Sequence, residues 1–370
     1  MPSYNDLRPI RDFAEQDYAL VFPQMGEAEK IRTIKNLLLL KQGLMKIPPR
    51  KTNHNLLVAS WNIKEFGHTK QRLPEAYFYI AEILERFDLI AVQEIKSTLK
   101  DLDIVMRLLG SDWRYLVTDI TGGRAGNKER SAFIYNTKRV NLSGLAGEVS
   151  LWSDLTDGGT LKQLKRSPYM TGFIAGWKQF AMVNLHLHPG NDDDDLALRR
   201  EEVRLLLEAL DIQDDKLWSK NLIVVGDMNL YHGDDDPTVA LFKDHGFGEV
   251  EALINVDTNA SQSQAYDRMF LKRNNYFQLA HTAQGREAGG VFDPFEHVYC
   301  DDQFQEYKDD ILDVYTGSKD LANDPVALKK QYLHYWRRNQ MSDHFPIWIE
   351  LTIDNSAAFL LKKQGDLEDA

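Results

Sequence analysis

The stretch "NLIVVGDMNL" (Asn221–Leu230) sets four apolar residues directly against a glycine, an acid and an amide, and the same design recurs along the chain. A strand that is apolar at successive positions must be covered on both faces, so many such strands restrict a chain to layered architectures. Strands are expected at Leu56–Trp61, Asp88–Glu94, Ser131–Asn136, Phe173–Trp177, Phe180–Leu187, Asn221–Val225, Asp267–Leu271 and Phe345–Leu351. Helical spacing is expected between them, over Leu73–Phe87 and roughly Asp195–Leu210. Many strands and few helices point to an α/β sandwich, with two mixed sheets packed face to face and helices outside.

Three regions stand apart from this pattern. Residues 1–50 read as a helical extension in which Ile31, Ile34, Leu37, Leu38 and Met45 form one apolar face, expected to pack on the body, and "IPPR" ends the helix. Residues 51–355 read as one α/β domain, expected to carry the chemistry, with a charged and aromatic helical insertion at 301–339, and 356–370 read as a solvated tail. The run "NDDDD" (Asn191–Asp195) reads as a solvated turn whose acids favour the start of the following helix.

A net charge of −12 argues against a broadly basic nucleic-acid surface but not against a local basic groove. One cysteine, Cys300, excludes an internal disulfide framework and suits a reducing compartment. The N-terminal segment lacks a basic start followed by an apolar stretch, and no apolar run is long enough to cross a bilayer, so the expectation is a soluble, cytoplasmic protein with no membrane partner.

The chemistry lies at the polar ends of the strands. Asn62 follows the first, Glu94 the second, and Glu129 and Arg130 precede the third. His186 and His188 lie on or beside the fifth, Asp227 and Asn229 follow the sixth, Asp267 opens the seventh, and Asp343 and His344 precede the last. Glu94, Asp227 and Asp343 are hard oxygen donors, Asn62 and Asn229 are neutral ones, and no cysteine cluster or His-x-x-x-His spacing is present, which suits Mg²⁺ (or Mn²⁺) better than zinc. A metal, two histidines with acids in reach and hydrogen-bonding amides suit hydrolysis of a phosphate ester by an oriented water.

"SWNIKEFG", "LIAVQEIK", "KERSAFIYN", "NLHLHPG", "VVGDMN", "AYDRMFL" and "SDHFPIWIE" occur in one order, and in that order the chain resembles the endonuclease/exonuclease/phosphatase superfamily. "KER", "AYDR" and "SDH" look most like its deoxyribonuclease I-like branch. The resemblance spans Trp61 to Glu350 and implies the four-layered α/β sandwich of that superfamily. It implies metal coordination by Glu94, with Asn62, Asp227, Asn229 and Asp343 completing or orienting the site, and catalytic histidines His186 and His344 backed by Glu129 and Asp267. By the same resemblance Arg166 stands where an arginine touches phosphate and Lys96 where a basic residue contacts DNA. His186 and His188 are two apart, so strand periodicity cannot separate them; the resemblance selects His186. The secreted enzymes resembled usually carry disulfides, which this chain cannot form internally, and that favours an intracellular relative.

The expected activity is therefore divalent-metal-dependent phosphodiester hydrolysis of nucleic acid, with DNA endonuclease as the leading reading. Arg124, Lys128, Arg130, Lys162, Lys165 and Arg166 cluster in loops flanking the expected cleft, as a polyanionic substrate requires. The alternatives are a phosphatase or phosphodiesterase acting on an inositol phosphate or phospholipid head group, and an inactive binding module, against which the intact set of acids, amides and histidines argues.

Overall fold

The computed structural model describes the whole chain except residues 1, 15–18, 68–71, 121–127, 152–155, 157–160, 162, 215–219, 233–235, 274–275 and 370. Two six-stranded sheets form its centre. In chain order the strands are β1 (Asn55–Phe66), β2 (Leu89–Lys96), β3 (Trp113–Val117), β4 (Glu129–Asn136), β5 (Asn141–Glu148) and β6 (Tyr169–Ala175). They continue with β7 (Lys178–His186), β8 (Leu222–Asp227), β9 (Phe247–Glu249), β10 (Asp267–Lys272), β11 (Gly289–Val291) and β12 (Ile347–Thr352). The first sheet runs β11-β12-β1-β2-β4-β3 and the second β5-β6-β7-β8-β10-β9. Only β1–β2 and β7–β8 pair in parallel among these neighbours, so both sheets are mixed.

The side-chain period of two explains the layering. Leu56 and Val58 of β1 point into the core between the sheets, where they meet Phe173, Met182, Val225 and Met269. Leu57, Ala59, Trp61 and Ile63 of the same strand face the outer helices. Those helices include α1 (Glu27–Leu44), α2 (Pro74–Glu85) and α3 (Lys100–Leu109), while Asp193–Asp214 and Asp236–Asp244 cover the second sheet. The stack is helices, sheet, sheet, helices: the four-layered sandwich.

The apolar face of α1 is placed differently from expectation. Leu37 is buried, but Ile31 is 67% exposed and Met45 79%, with Ile34 and Leu38 also exposed. The buried face instead carries Lys30, Thr33, Asn36, Leu37, Leu40, Gly43 and Leu44. Its polar groups are satisfied by partners that spacing does not reveal: Lys30 Nζ donates to Arg8 O at 2.8 Å and Asn36 Nδ2 to Tyr307 Oη at 3.3 Å. Gly43 permits the contact with His297, because a Cβ there would lie 2.1 Å from the imidazole.

The 301–339 segment holds the helices Lys308–Val314 and Pro325–Gln331, the latter continuing through a π turn (Tyr332–Trp336) into Arg337–Gln340. Tyr299, Tyr307, Tyr332 and Trp336 stack against one another and join the core that also contains α1 and α2. At the C-terminus Ser356–Glu368 is a helix with no buried residue. Strands β3, β5, β9 and β11 had no sequence expectation; β5 is largely exposed and carries little apolar alternation. Among the described residues no helix is long and apolar enough to cross a membrane.

Candidate active site

Strand register gathers the key side chains. His186, Asp227 and Asp267 lie side by side across β7, β8 and β10, since His186 pairs with Asp227 and Asp227 with Asp267. The approach of β8 to β7 depends on Gly226, at φ +142°, where a Cβ would lie 2.1 Å from Leu185 O. On the facing sheet Asn62 of β1 pairs with Gln93 of β2, and the register then slips between Val92 and Ile95. Glu94 sits in that irregularity with φ +59°, a left-handed conformation rare for a residue with a side chain. Asn229 has the same conformation, at φ +49°. Unusual backbone on two candidate residues fits a site held by the surrounding fold.

Asp227 is the focus. Its Oδ2 lies 3.5 Å from His186 Nε2 and 3.7 Å from His344 Nε2, and it accepts from Asn62 Nδ2 at 2.9 Å. Its Oδ1 accepts from the backbone N–H of Asn229 at 3.0 Å. Asn229 Nδ2 in turn donates to Leu187 O at 3.0 Å, tying the β8 turn to the end of β7. Each imidazole has a second carboxylate behind it: Glu129 Oε2 is 3.3 Å from His186 Nδ1, and Asp267 Oδ2 is 2.8 Å from His344 Nδ1.

The two supporting carboxylates differ. Glu129 receives Arg166 Nε at 3.0 Å and Lys96 Nζ at 3.1 Å. Burial alone would raise its pKa, but His186, Arg166 and Lys96 together bring it down to about 2. Burial pushes the Asp267 carboxyl up, and Thr258 Oγ1 donates to it at 2.8 Å. Burial opposes charge on His344 as well, yet Asp267 and Asp227 hold its imidazole well above the ordinary histidine value.

A cleft of about 680 Å³ opens over this centre, lined among others by Lys64, Glu94, Lys96, Lys128, Asp343 and His344. Glu94 Oε1 accepts from Asn62 Nδ2 at 3.1 Å and its Oε2 from Glu65 N at 2.9 Å. Asn62 Oδ1 is buried without a hydrogen-bond partner. Glu94 and Asp343 both line this cleft, and with the orphaned amide oxygen of Asn62 they offer the all-oxygen donors that a hard divalent cation takes. Asp227, Asp267 and His344 also place ligand atoms within 4.8 Å of one another, a second group that could hold a metal ion.

The remaining expected residues divide. Arg166 is buried and fixes Glu129, with Nη1 3.4 Å from Leu187 O. Arg130 is turned to Thr118, donating to its carbonyl at 2.6 Å, and successive strand residues face opposite sides, so it does not join Glu129 at the centre. Lys165 meets His188 at 2.9 Å, while Arg124 and Lys162 lie outside the described residues. His188 lies beyond the end of β7, where Asp195 holds its Nε2 at 2.7 Å; the regular strand that would align it with His186 has stopped. Asp195 thus has a partner in the turn expected to be solvated, and a helix does begin at Asp193.

Sequence reading missed Lys64, whose Nζ pairs with Asp343 at 2.9 Å. The available signal was its position two residues from Asn62 on the same strand face. Thr258 and the buried pair Gln93–Asn184, joined at 2.7 Å between the sheets, carried no such signal.

A model of the Endonuclease/Exonuclease/phosphatase family matches residues 59–248. Human Deoxyribonuclease-1 is 29% identical over 186 residues, 47% of this chain and 61% of that protein. Rat Deoxyribonuclease gamma is 29% identical over 188 residues, again 47% of this chain and 56% of that protein. The matched region is thus only about three fifths of the length of these curated relatives. Among solved structures, an endonuclease/exonuclease/phosphatase family protein from Bacteroides thetaiotaomicron superposes with a TM-score of 0.50 at 17% identity, over 82% of this chain and 99% of that one, which supports the fold.

Proposed function

Because this chain belongs to the Endonuclease/Exonuclease/phosphatase family, we propose that it is a divalent-metal-dependent phosphodiesterase that hydrolyses nucleic acid, and specifically a DNA endonuclease. The observation that carries the reading is the Asp227 carboxylate faced by two imidazoles, each backed by its own carboxylate. Similarity to two proteins named as deoxyribonucleases supports DNA as the substrate, and the single cysteine supports a cytoplasmic setting.

In this reading Asp227 and His186 hold a water in line with the scissile phosphorus. As the water oxygen bonds to phosphorus, its proton passes to His186 Nε2, and ionised Glu129 stabilises the resulting imidazolium. The P–O bond to the leaving nucleoside breaks, and His344 Nε2 supplies the proton that oxygen needs. Asn229 keeps Asp227 oriented, and Lys96 and Arg166 keep Glu129 ionised. Glu94, Asn62 and Asp343 would hold Mg²⁺ or Mn²⁺, which when bound neutralises charge on the phosphate oxygens.

The test incubates the protein with supercoiled plasmid, single-stranded DNA, RNA and an inositol phosphate, with Mg²⁺ or Mn²⁺ and with chelator. Nicking that needs metal and that His186→Ala and Asp227→Ala abolish is the expected result. Phosphate release from the small ester with every nucleic acid left intact would overturn the reading.

A further inference from the structure

The helix from Pro325 to Gln340 ends immediately before the segment that carries Asp343 and His344. Its inner side is anchored. Tyr332 and Trp336 are buried among aromatic rings, and Arg337 Nη1 donates to Asp301 at 2.6 Å and to Tyr299 O at 3.1 Å. Its outer side carries Lys330, His334 and Tyr335, all exposed, followed by half-buried Arg338. The π turn falls under His334 and Tyr335, and such turns recur at functional sites.

In a chain of net charge −12 this face is locally positive. Burial and the neighbouring cations Arg338, Lys330 and Arg337 hold the His334 imidazole below its ordinary value. Arg338 gives Nη2 to Ser261 Oγ at 3.0 Å, while its Nε has no partner. The helix ends at Gln340, three residues before Asp343 of the cleft, and Asp343 is among the charges acting on Arg338. From Lys330 to Arg338 the helix advances about 12 Å, the length of three to four nucleotides of one duplex strand at about 3.4 Å each.

We infer that this outer face, formed by Lys330, His334, Tyr335 and Arg338, is a landing surface for the backbone of a nucleic-acid strand leaving the cleft. Lys330 meets phosphate as a point charge, and the Arg338 guanidinium offers it a planar fork. His334 adds a hydrogen-bonding ring, and Tyr335 presents a platform on which an unpaired base stacks. The surface would give an acidic protein hold of a polyanion away from the reacting phosphate. The inference rests on the nucleic-acid reading of the active site.

Its test uses the full chain and the variant Lys330→Gln/Tyr335→Ala/Arg338→Gln. Binding of a labelled duplex and of its single strand is followed by anisotropy, in chelator, across a salt series. Hydrolysis of plasmid and of the small chromogenic diester bis(p-nitrophenyl) phosphate is measured with Mg²⁺ or Mn²⁺. The slope of log K against log salt for the duplex should fall in magnitude by about 2, and by about 1 for Lys330→Gln alone. The loss of kcat/KM on plasmid should exceed the loss on the diester by about tenfold or more. An unchanged slope, or equal losses on polymer and diester, overturns the surface. Wild-type protein that binds strands through this face without cleaving them supports the surface and overturns the hydrolytic reading. Protein that neither binds nor cleaves nucleic acid overturns both.

Discussion

Glu129 and Asp267 each stand behind an imidazole that faces Asp227, but their surroundings differ. Arg166 and Lys96 bind Glu129, whereas the neutral hydroxyl of Thr258 meets Asp267. Burial would raise the Glu129 pKa, but His186 first, and then the fixed cations Arg166 and Lys96, bring it down to about 2. Asp267 lacks that cationic support, and its charge is balanced chiefly by His344, which stays protonated in return. Paired groups whose environments push their proton affinities apart mark opposite roles in acid–base chemistry. In the proposed mechanism this assigns the Glu129–His186 side as proton acceptor and the Asp267–His344 side as donor.

The strongest way to break this comparison removes the group both sides share. Asp227→Asn should lower kcat on plasmid by about 10⁴, the upper range for losing acid–base organisation. A variant keeping more than about a tenth of the activity would show that the two imidazoles do not work through Asp227.

The next test sets the two sides against each other. Asp267→Asn should cost about 10²–10³ in kcat, because Asp267 is the close partner of His344 at 2.8 Å. Glu129→Gln should cost nearer 10–10², because the carboxylate stands at 3.3 Å from His186. The reverse order, measured at saturating substrate, would exchange the assigned roles.

Stability against pH should separate the sides in opposite directions. The folded pKa of Glu129 lies below its ordinary 4.5, so its contribution is present above that value and is lost as pH falls towards about 2. His344 lies above its ordinary 6.5, so its contribution is full below 6.5 and is lost as pH rises through the folded value. Thermal unfolding of Glu129→Gln and His344→Gln should approach wild type at the acid and alkaline ends respectively. Curves parallel to wild type at all pH values would contradict both shifts.

The smallest effect belongs to Thr258→Val, which removes two hydrogen bonds with Asp267, one donated to its Oδ2 and one accepted from its backbone N–H. A loss of about 1–2 kcal/mol in unfolding free energy is expected, with a small fall in kcat. A loss in kcat as large as that of Asp267→Asn would make the hydroxyl, and not burial, the determinant of that side.

Much of this was legible in the chain because β-strands write their burial directly into sequence. "NLIVVGDMN" and "LIAVQE" announce buried strands, and their first polar residues mark where the strands leave the core. Weakly patterned β5 and the short β9 and β11 gave no such signal. On α1 the period misled, because Lys30 and Asn36 are buried by partners hundreds of residues away or in loops, while Ile31 and Ile34 are left outside.

By itself, then, the sequence determined which strands are buried and which acids, amides and imidazoles stand at their ends. Both follow from local period and composition, which act over a few residues. The tertiary structure alone decided that His186, Asp227 and Asp267 share one row, that His188 turns away to Asp195, and that Arg166 and Arg130 part company. It also decided that Lys64 reaches Asp343 and that Lys330, His334 and Tyr335 stand exposed on the 325–340 helix. These outcomes depend on register between strands distant in sequence and on burial, which set the distances that fix hydrogen bonding and charge.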